Sequence, residues 1–343
     1  MITKVYTNPD IFKIDVPLPD NPLRNLNSYV IKVGDESLII DTGFNRPECL
    51  KAIREGFAEL AIDFSKTSLF LTHLHADHVG LACTLMKDTN RPIYMSHLDY
   101  EYFINYTLGD QWTKTEEKYE TEGMPKEYTT ILRNTNPARS FAPSGAFEAI
   151  PLEDRQTISI GDYTFTCILV PGHTPGQMCL YLEKEQLLFT ADHILFDITP
   201  NITSWLDVAD SLGDYIESLH KIQGFPIKTA LPAHRKNDID VYERIQQILS
   251  HHKYRLENTI DILVKEPALN SYEIAARMKW SMRGKCWEEF PLSQRWFAVG
   301  ETMAHLDFLL VRGLIKQNEG DINTYTLGYD GETCKKMLDG FKF

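Results

Sequence analysis

The chain has 343 residues, 43% of them hydrophobic and 24% charged, which predicts two domains and excludes both a miniprotein and a disordered chain. Its net charge of −13 lies entirely within the first 240 residues, because residues 241–343 carry 14 basic and 14 acidic side chains. A surface this acidic disfavours, without excluding, extended binding to nucleic acid.

Short strands with intervening helices are predicted for the first 240 residues. Runs of β-branched and aromatic residues that end in turn residues predict strands at 28–33, 37–40, 68–72, 92–95, 163–170, 178–182, 187–190 and 229–231. Helical spacing of apolar residues predicts helices at 47–60, 79–86 and 211–222. Residues 1–240 are therefore expected to form one domain in which helices connect and cover the sheets.

The segment from about residue 97 to residue 147 is predicted to be a helical insertion in that domain. It is crowded with aromatic residues, among them Tyr102 and Tyr106. One interpretation is a packed helical cover, and the other is a lid whose rings contact a substrate. On the second interpretation, Tyr102 and Tyr106 belong to a substrate pocket.

Residues 241–343 are predicted to form a linker helix followed by a small helical domain. The expected elements are helices at about 238–264, 271–280 and 299–314 and a two-stranded hairpin at 315–317 and 324–327. The second helix is predicted to begin at a Ser271 cap with Glu273 in its first turn. This order resembles a winged-helix domain. Its third helix offers Arg312 but little other positive charge, which favours structural packing or homodimer formation over DNA binding.

The cysteine spacing predicts reduced thiols, and the first residues predict where the protein is located. None of the six cysteines forms a CxxC pair or a zinc-knuckle spacing. The chain begins without a basic segment followed by an apolar stretch, and it contains no run of about 18 apolar residues. We therefore expect a soluble, cytoplasmic protein with no membrane partner.

The strongest chemical signal is the sequence THLHADHVG at residues 72–80, directly after an apolar run. In an extended chain residues i and i+2 point the same way, so His73 and His75 can bind one ion at the end of a strand. Asp77 and His78 lie in the turn that follows, where they can face a second ion. Imidazole and carboxylate groups are common metal ligands, so four of them within six residues predict a metal site.

Three further candidate ligands lie where predicted strands end in loops. They are His173 in VPGHTPG, Asp192 in FTADH and His234 in LPAH. Each is flanked by proline, glycine or alanine, residues that shape the loop and leave room for an ion. Their shared position predicts that they join the same site.

Together these motifs resemble those of the metallo-β-lactamase superfamily of binuclear metal hydrolases, over roughly residues 25–235. The resemblance implies an α/β fold, an αββα sandwich with its metals at one edge between two sheets. It implies by position that one metal is held by His73, His75 and His173, that the second is held by Asp77, His78 and His234, and that Asp192 bridges them. It also implies that Asp41, in the sequence IIDTG, supports the ligands by hydrogen bonding. Ala191 and Ala233 stand where the family usually has glycine.

Ligands of this kind without thiolate predict two divalent ions, zinc first, with iron or manganese as alternatives. Two such cations lower the pKa of a shared water from about 15.7 to roughly 7, so a metal-bridging hydroxide is the expected nucleophile. The resemblance implies that Asp77 orients this hydroxide. His73, His75 and Asp77 are therefore the residues expected to support catalysis most directly.

The favoured function is hydrolysis of a small ester, thioester or related acyl substrate. An antibiotic-hydrolysing lactamase is disfavoured because the commonest class has a cysteine in the place of Asp192, whereas an aspartate resembles glyoxalase II-type thioesterases. Three alternatives stay open: an endoribonuclease acting on single-stranded RNA, a winged-helix DNA-binding regulator with a metal-containing sensor domain, and iron-dependent oxygen chemistry. His97 and His193 flank the expected metal edge and are assigned to the substrate pocket.

Overall fold

A computed structural model describes residues 1–280 and 286–343 of the chain. These residues divide into two compact units. The first unit comprises Met1–Gly109, Pro137–Pro200 and Lys221–Val241, and the second comprises Asp110–Asn136, Asn201–His220 and Tyr242–Phe343. Both units are assembled from separated segments of sequence, and the division into two continuous domains at residue 240 stays a prediction.

Two β-sheets form the centre of the first unit. The first sheet has its strands in chain order, β1 (Ile2–Tyr6), β2 (Asp10–Pro17), β3 (Asn25–Val33), β4 (Glu36–Ile40), β5 (Thr67–Phe70), β6 (Ile93–Ser96) and β7 (Ile150–Leu152). Neighbouring strands from β1 to β4 are antiparallel, and those from β4 to β7 are parallel. The second sheet contains β8 (Thr157–Ile160), β9 (Tyr163–Leu169), β10 (Met178–Leu182), β11 (Leu187–Ala191) and β12 (Thr229–Pro232), ordered β12-β11-β10-β9-β8. In this sheet the neighbouring strands β11 and β12 are parallel, and the other neighbouring pairs are antiparallel.

The α-helices are distributed over both units and the C-terminal region is mainly helical. In chain order they are α1 (Pro47–Glu59), α2 (Ala76–Val79), α3 (Ala82–Met86), α4 (His97–Leu108), α5 (Gln111–Thr121), α6 (Lys126–Thr135), α7 (Pro137–Ser140), α8 (Ser211–Gln223), α9 (Val241–Lys265), α10 (Ser271–Arg277), α11 (Leu292–Val311) and α12 (Gly331–Leu338). Single 3-10 turns lie at Phe64–Lys66 and Trp287–Glu289. None of the helices in the described residues has the length and apolar composition needed to cross a bilayer.

Apolar side chains alternate between the two faces of the first sheet. Ile40 and Phe70 pack between the sheets, in a cluster that includes Phe189 of β11. Ile39 points the opposite way and packs in a second cluster with Ile53 of α1. This alternation follows from the pleat of a strand, and it gives the sheet two buried faces. The expected mixed α/β fold, with sheets followed by a C-terminal helical region, is confirmed.

The polar motifs lie at the carboxyl ends of strands. Asp41 follows β4, the segment with His73 follows β5, and His173, Asp192 and His234 follow β9, β11 and β12. Strands that run in the same direction end at the same edge of their sheet, which is where open α/β folds place ligand-binding loops. The topology therefore collects residues that are far apart in sequence.

The second unit has its own aromatic core. Tyr119 of α5 stacks on Trp296 of α11, with ring centroids 3.6 Å apart and an interplanar angle of 4°. The middle of the predicted insertion thus packs with the C-terminal helices in this unit. A two-stranded antiparallel sheet is formed by β13 (Ile315–Asn318) and β14 (Thr324–Leu327), and the winged-helix assignment stays a prediction.

One local prediction about the second unit is wrong. Helix α10 is capped by Asn270 and not by Ser271. The Asn270 side chain accepts a hydrogen bond from Glu273 N at 2.8 Å, and Glu273 Oε2 accepts one from Asn270 N at 3.0 Å. This reciprocal pair is a capping box, which satisfies two backbone N–H groups at once. The Ser271 hydroxyl instead donates to the carboxylate of Glu122.

Candidate metal centre

Hydrogen bonds from two neighbouring segments fix the start of the 72–80 motif. Asp41 Oδ1 accepts from Thr72 N at 2.9 Å, and Asp41 Oδ2 accepts from Thr72 Oγ1 at 2.8 Å. The carbonyl oxygen of Thr72 accepts from Met178 N in the second sheet at 2.9 Å. The motif is thus attached to both sheets before its first histidine.

The second half of the motif turns tightly into α2. The carbonyl oxygen of His75 accepts from His78 N at 2.9 Å, and His75 is the residue that precedes the helix. Gly80 ends this turn against backbone atoms: a Cβ at Gly80 would lie 2.5 Å from Asn45 N and 2.6 Å from Gly43 O. The glycine is therefore required by a close approach of two backbone segments.

His73, His75 and His173 bring their ring nitrogens together in what we call the three-histidine cluster. His75 Nδ1 lies 3.1 Å from His73 Nε2 and 3.0 Å from His173 Nε2. Tetrahedral ligands about 2.1 Å from a metal lie roughly 3.4 Å apart, so this spacing is close to that of a zinc site. Burial and the neighbouring imidazoles lower the pKa of His73 well below its usual range and that of His75 to about 3. Neutral imidazoles have the lone pairs that a metal requires.

Asp77, His78 and His234 form the mixed cluster. His234 Nε2 lies 3.4 Å from Asp77 Oδ2, and His78 Nε2 lies 3.9 Å from the same oxygen. His78 Nδ1 donates to Asp41 Oδ2 at 2.7 Å, and His234 Nδ1 donates to Asn25 O at 2.8 Å. Each of these bonds occupies one ring nitrogen and directs the other into the cluster.

Asp192 lies between the two clusters. Its Oδ1 is 3.4 Å from His234 Nε2 and 3.7 Å from His78 Nε2, while its Oδ2 is 3.7 Å from His173 Nε2. Within the described residues, Asp192 Oδ1 and the Nε2 atoms of His78 and His234 are buried and have no hydrogen-bond partner. Buried polar atoms are ordinarily satisfied, so converging atoms of this kind fit a bound cation.

The charges of the mixed cluster also fit a cation. Burial opposes ionisation of Asp77 and Asp192, but His78 and His234 outweigh it and lower both pKa values, that of Asp77 to about 2. Burial likewise opposes protonation of the two histidines, but the nearby carboxylates raise the pKa of His78, and that of His234 well above its usual range. The carboxylates thus attract positive charge into the site, and a divalent ion supplies that charge without a proton.

Buried amides hold the loops that carry Asp192 and His234. With its amide oxygen directed toward them, Gln177 accepts hydrogen bonds from Asp192 N at 2.9 Å and from His193 N at 2.8 Å. Asn27 Nδ2 donates to Pro232 O at 2.9 Å, on the strand that leads to His234. Neither residue was predicted from the sequence. The signal that could have found Asn27 is an amide within a run of mostly apolar, strand-forming residues, from Leu26 to Val33.

The two alanines at positions where the resemblance implies glycine have different surroundings. Ala191 has a φ of +49°, in the left-handed region that favours glycine, directly before Asp192. Ala233 has no positive φ; it is buried and its N–H donates to Ala191 O at 3.2 Å. The backbone conformation associated with glycine is therefore retained at residue 191 even though an alanine occupies it.

The residues assigned to a substrate pocket lie outside both clusters of the described chain. His193 is fully buried next to Asp192. His97 is half exposed, with Nε2 3.2 Å from Glu101 Oε1 and Nδ1 3.7 Å from Glu153 Oε1. Tyr102 and Tyr106 are half-buried on α4. A role in substrate binding stays a prediction for all four.

Comparison with known protein families locates the match in the first two thirds of the chain. The family model described as the metallo-beta-lactamase superfamily matches residues 22–234. This range includes every candidate ligand, from His73 in the three-histidine cluster to His234 in the mixed cluster, together with Asp192.

Curated relatives are similar to the chain over most of its length. The lactamase-like protein nscB of Neosartorya fischeri is 27% identical over 244 residues, which are 71% of this chain and 58% of that protein. An atrochrysone carboxyl ACP thioesterase of Aspergillus fumigatus is 24% identical over 260 residues, which are 72% of this chain and 66% of that protein. The chain thus spans less than two thirds of the length of these relatives.

Solved structures resemble almost the whole chain. A metallo-beta-lactamase family protein from Thermus thermophilus has a TM-score of 0.75 and 24% identity, covering 92% of this chain and 98% of that one. A beta-lactamase domain protein from Burkholderia ambifaria has a TM-score of 0.77 and 21% identity, covering 95% of this chain and 94% of that one. At this level of identity the likeness shows the fold alone.

Proposed function

Since this chain belongs to the metallo-beta-lactamase superfamily, we propose that it is a metal-dependent hydrolase that cleaves a small ester, thioester or related acyl substrate. The observation that carries the proposal is the position of Asp192, whose two carboxylate oxygens face separate groups of imidazole nitrogens 3.4–3.7 Å away. A carboxylate so placed can contact two ions at once. The narrower likeness to glyoxalase II stays a prediction.

The residues divide into two sets of ligands. His73, His75 and His173 would hold one divalent ion and Asp77, His78 and His234 the other, with Asp192 contacting both. Zinc suits these donors best, and iron and manganese are alternatives. When bound, such a pair of ions supplies Lewis acidity, which activates a water and polarises the carbonyl or phosphoryl oxygen of a substrate.

The chain's own side chains set the protonation of the site. The hydrogen bonds from His78 to Asp41 and from His234 to Asn25 O fix which nitrogen of each ring carries the proton. The low pKa of Asp77, about 2, keeps its carboxylate ionised at neutral pH. Asp77 can therefore accept a hydrogen bond from a water molecule that enters the site and orient it.

A thiol nucleophile is disfavoured at the described cysteines of the first unit. Burial raises the pKa of Cys49 to about 11 and that of Cys167 to about 12. A thiol with a pKa this high carries almost no thiolate at neutral pH, and thiolate is the reactive form. An activated water is therefore the better attacking group.

A thioester is the substrate class that we favour among acyl compounds. One relative is named as a thioesterase acting on a carboxyl ACP, which supports a carrier-linked thioester as a first choice. The net charge of −13 disfavours long polyanions such as RNA, because binding to them depends on neutralising phosphates.

The test compares substrate classes on one preparation of the metal-loaded full chain. We expect turnover of acyl-pantetheine thioesters or lactones, lost in His75→Ala. Turnover confined to bis(p-nitrophenyl) phosphate and labelled single-stranded RNA would overturn the proposal in favour of a phosphodiesterase. Tight, salt-sensitive and sequence-selective binding of genomic DNA fragments in a gel-shift assay, without turnover, would favour the DNA-binding regulator. Stoichiometric iron with oxygen uptake would favour oxygen chemistry.

A further inference from the structure

A buried carboxylate lies between the two loops that carry the three-histidine cluster. Asp99, in the first turn of α4, has no exposed surface. Its Oδ2 accepts hydrogen bonds from Leu74 N at 2.9 Å and Thr174 Oγ1 at 2.7 Å. Its Oδ1 accepts one from Gly176 N at 2.6 Å.

These partners are the immediate neighbours of the candidate ligands. Leu74 lies between His73 and His75, and Thr174 follows His173. One side chain thus joins two loops whose ligands are about a hundred positions apart in sequence. The hydrogen bonds reach the backbone of each loop, so they act on the position of the loop and not on the rings themselves.

The beginning of α4 is itself fixed in place. Ser96 Oγ accepts a hydrogen bond from Asp99 N at 3.0 Å, which caps the helix. Gly176 lies against this cap: a Cβ at Gly176 would lie 2.3 Å from Ser96 Oγ and 2.4 Å from Asp99 N. Asp99 is therefore held on a rigid element with the 173–176 loop in direct contact.

The two backbone partners require a side chain with two acceptor oxygens. The N–H groups of Leu74 and Gly176 can only donate, so both carboxyl oxygens must accept. An asparagine has the same shape, but its NH₂ group would face one of the two N–H groups whichever way the amide is turned. A buried N–H group left without an acceptor in this way lowers the free energy of unfolding.

We propose that Asp99 is a positioning residue that holds the His73–His75 loop against the His173 loop and thereby sets the affinity of the three-histidine cluster for its metal. The proposal rests on the proposed function, because it assumes that this cluster binds an ion. Groups that orient metal ligands without touching the metal typically change its affinity about 10- to 100-fold when they are removed.

The experiment measures metal affinity in the full chain, independently of turnover. Wild type, Asp99→Asn and Asp88→Asn are titrated with Zn²⁺ against a chelator, and the Co²⁺-substituted proteins are compared by absorption spectroscopy. Asp88 is exposed, so Asp88→Asn is a control with the same chemical change. We expect Asp99→Asn to lower the affinity for one of two ions about 10- to 100-fold and to alter the Co²⁺ spectrum. We expect Asp88→Asn to match wild type in both measurements.

The outcomes separate the two proposals. A wild-type chain that binds no metal overturns the proposed function and this inference with it. Wild-type affinities for both ions in Asp99→Asn overturn the inference alone, and so does an equal loss at both ions, which indicates general loosening of the fold. If Asp99→Asn does not fold, Thr174→Val decides, because it removes one hydrogen bond: a smaller, selective loss at one ion supports the inference, and no loss overturns it.

Discussion

Asp41 Oδ2 accepts a hydrogen bond from His78 Nδ1 at 2.7 Å, and both side chains are almost completely buried. The same carboxylate holds Thr72, at the start of the motif that carries His78. One aspartate therefore fixes both the backbone at the start of the 72–80 motif and the proton on Nδ1 of His78 in the mixed cluster.

The substitution Asp41→Asn tests this relationship. Asp41 has a φ of +59°, a conformation that asparagine tolerates well, so the backbone is little disturbed. The amide cannot accept all three hydrogen bonds, and we expect metal affinity to fall about 10- to 100-fold, mainly at the ion held by His78. Chelator competition measures the loss. Unchanged affinity at both ions would refute the role assigned to Asp41.

His75→Ala removes the imidazole nitrogen shared by both close contacts of the three-histidine cluster. We expect loss of at least one metal ion and of nearly all turnover while circular dichroism shows a retained fold. His220→Ala serves as the control, because His220 is half-buried on α8 outside both clusters. Full metal content and turnover in His75→Ala would contradict the ligand assignment.

Gly80→Ala is expected to destabilise the first unit. The added Cβ would meet three backbone atoms at 2.5–2.6 Å, and overpacking of this kind costs on the order of 1–3 kcal/mol. Gly145→Ala is the matched control, because a Cβ there meets no atom within 4 Å. Urea unfolding measures both variants. Equal stability of Gly80→Ala and wild type would show that the 72–80 turn accommodates a side chain.

The sequence predicted the parts of the molecule that local pattern determines. The strands that end at Asp41, His73 and Asp192 are continuous apolar runs that end in turn residues, and such runs are recognisable without a structure. Four strands, β1, β2, β7 and β8, were not predicted. β1, β2 and β8 interleave polar with apolar residues and β7 has only three residues, so none of them is a continuous apolar run.

Other features depend on contacts between distant segments. Asp99 accepts hydrogen bonds from Leu74 and Gly176, which lie 25 and 77 positions away in the sequence. From the sequence alone, an aspartate in the first turn of a helix resembles an ordinary cap. Gln177 likewise holds the Asp192 loop through backbone groups that no sequence pattern identifies. The combination of separated sequence segments into each of the two units is equally a property of tertiary packing.

The second unit contains a pair of buried histidines that are in contact. His305 Nδ1 donates to Glu301 O at 2.7 Å, which leaves His305 Nε2 3.2 Å from His252 Nδ1. Burial lowers the pKa of His305 to about 4 and that of His252 well below its usual range. Both rings are therefore neutral in the folded protein near pH 6.

The unfolded chain binds protons on these histidines below about pH 6.5, while the folded chain resists them. The free energy of unfolding should therefore fall as the pH decreases from about 6.5 toward 4, by up to about 1.4 kcal/mol for each unit of pKa shift. All five tryptophans lie in the second unit, so tryptophan fluorescence during denaturation follows it. His305→Gln should flatten the dependence. An identical pH profile for His305→Gln and wild type would contradict the account.

The number of divalent ions bound per chain tests the central claim most directly. Elemental analysis of the purified full chain, repeated after dialysis with zinc, manganese or iron, should give two ions per chain for wild type and fewer for Asp192→Asn, which alters the carboxylate facing both clusters. A chain that carries no metal and gains none from any of these ions would contradict the account.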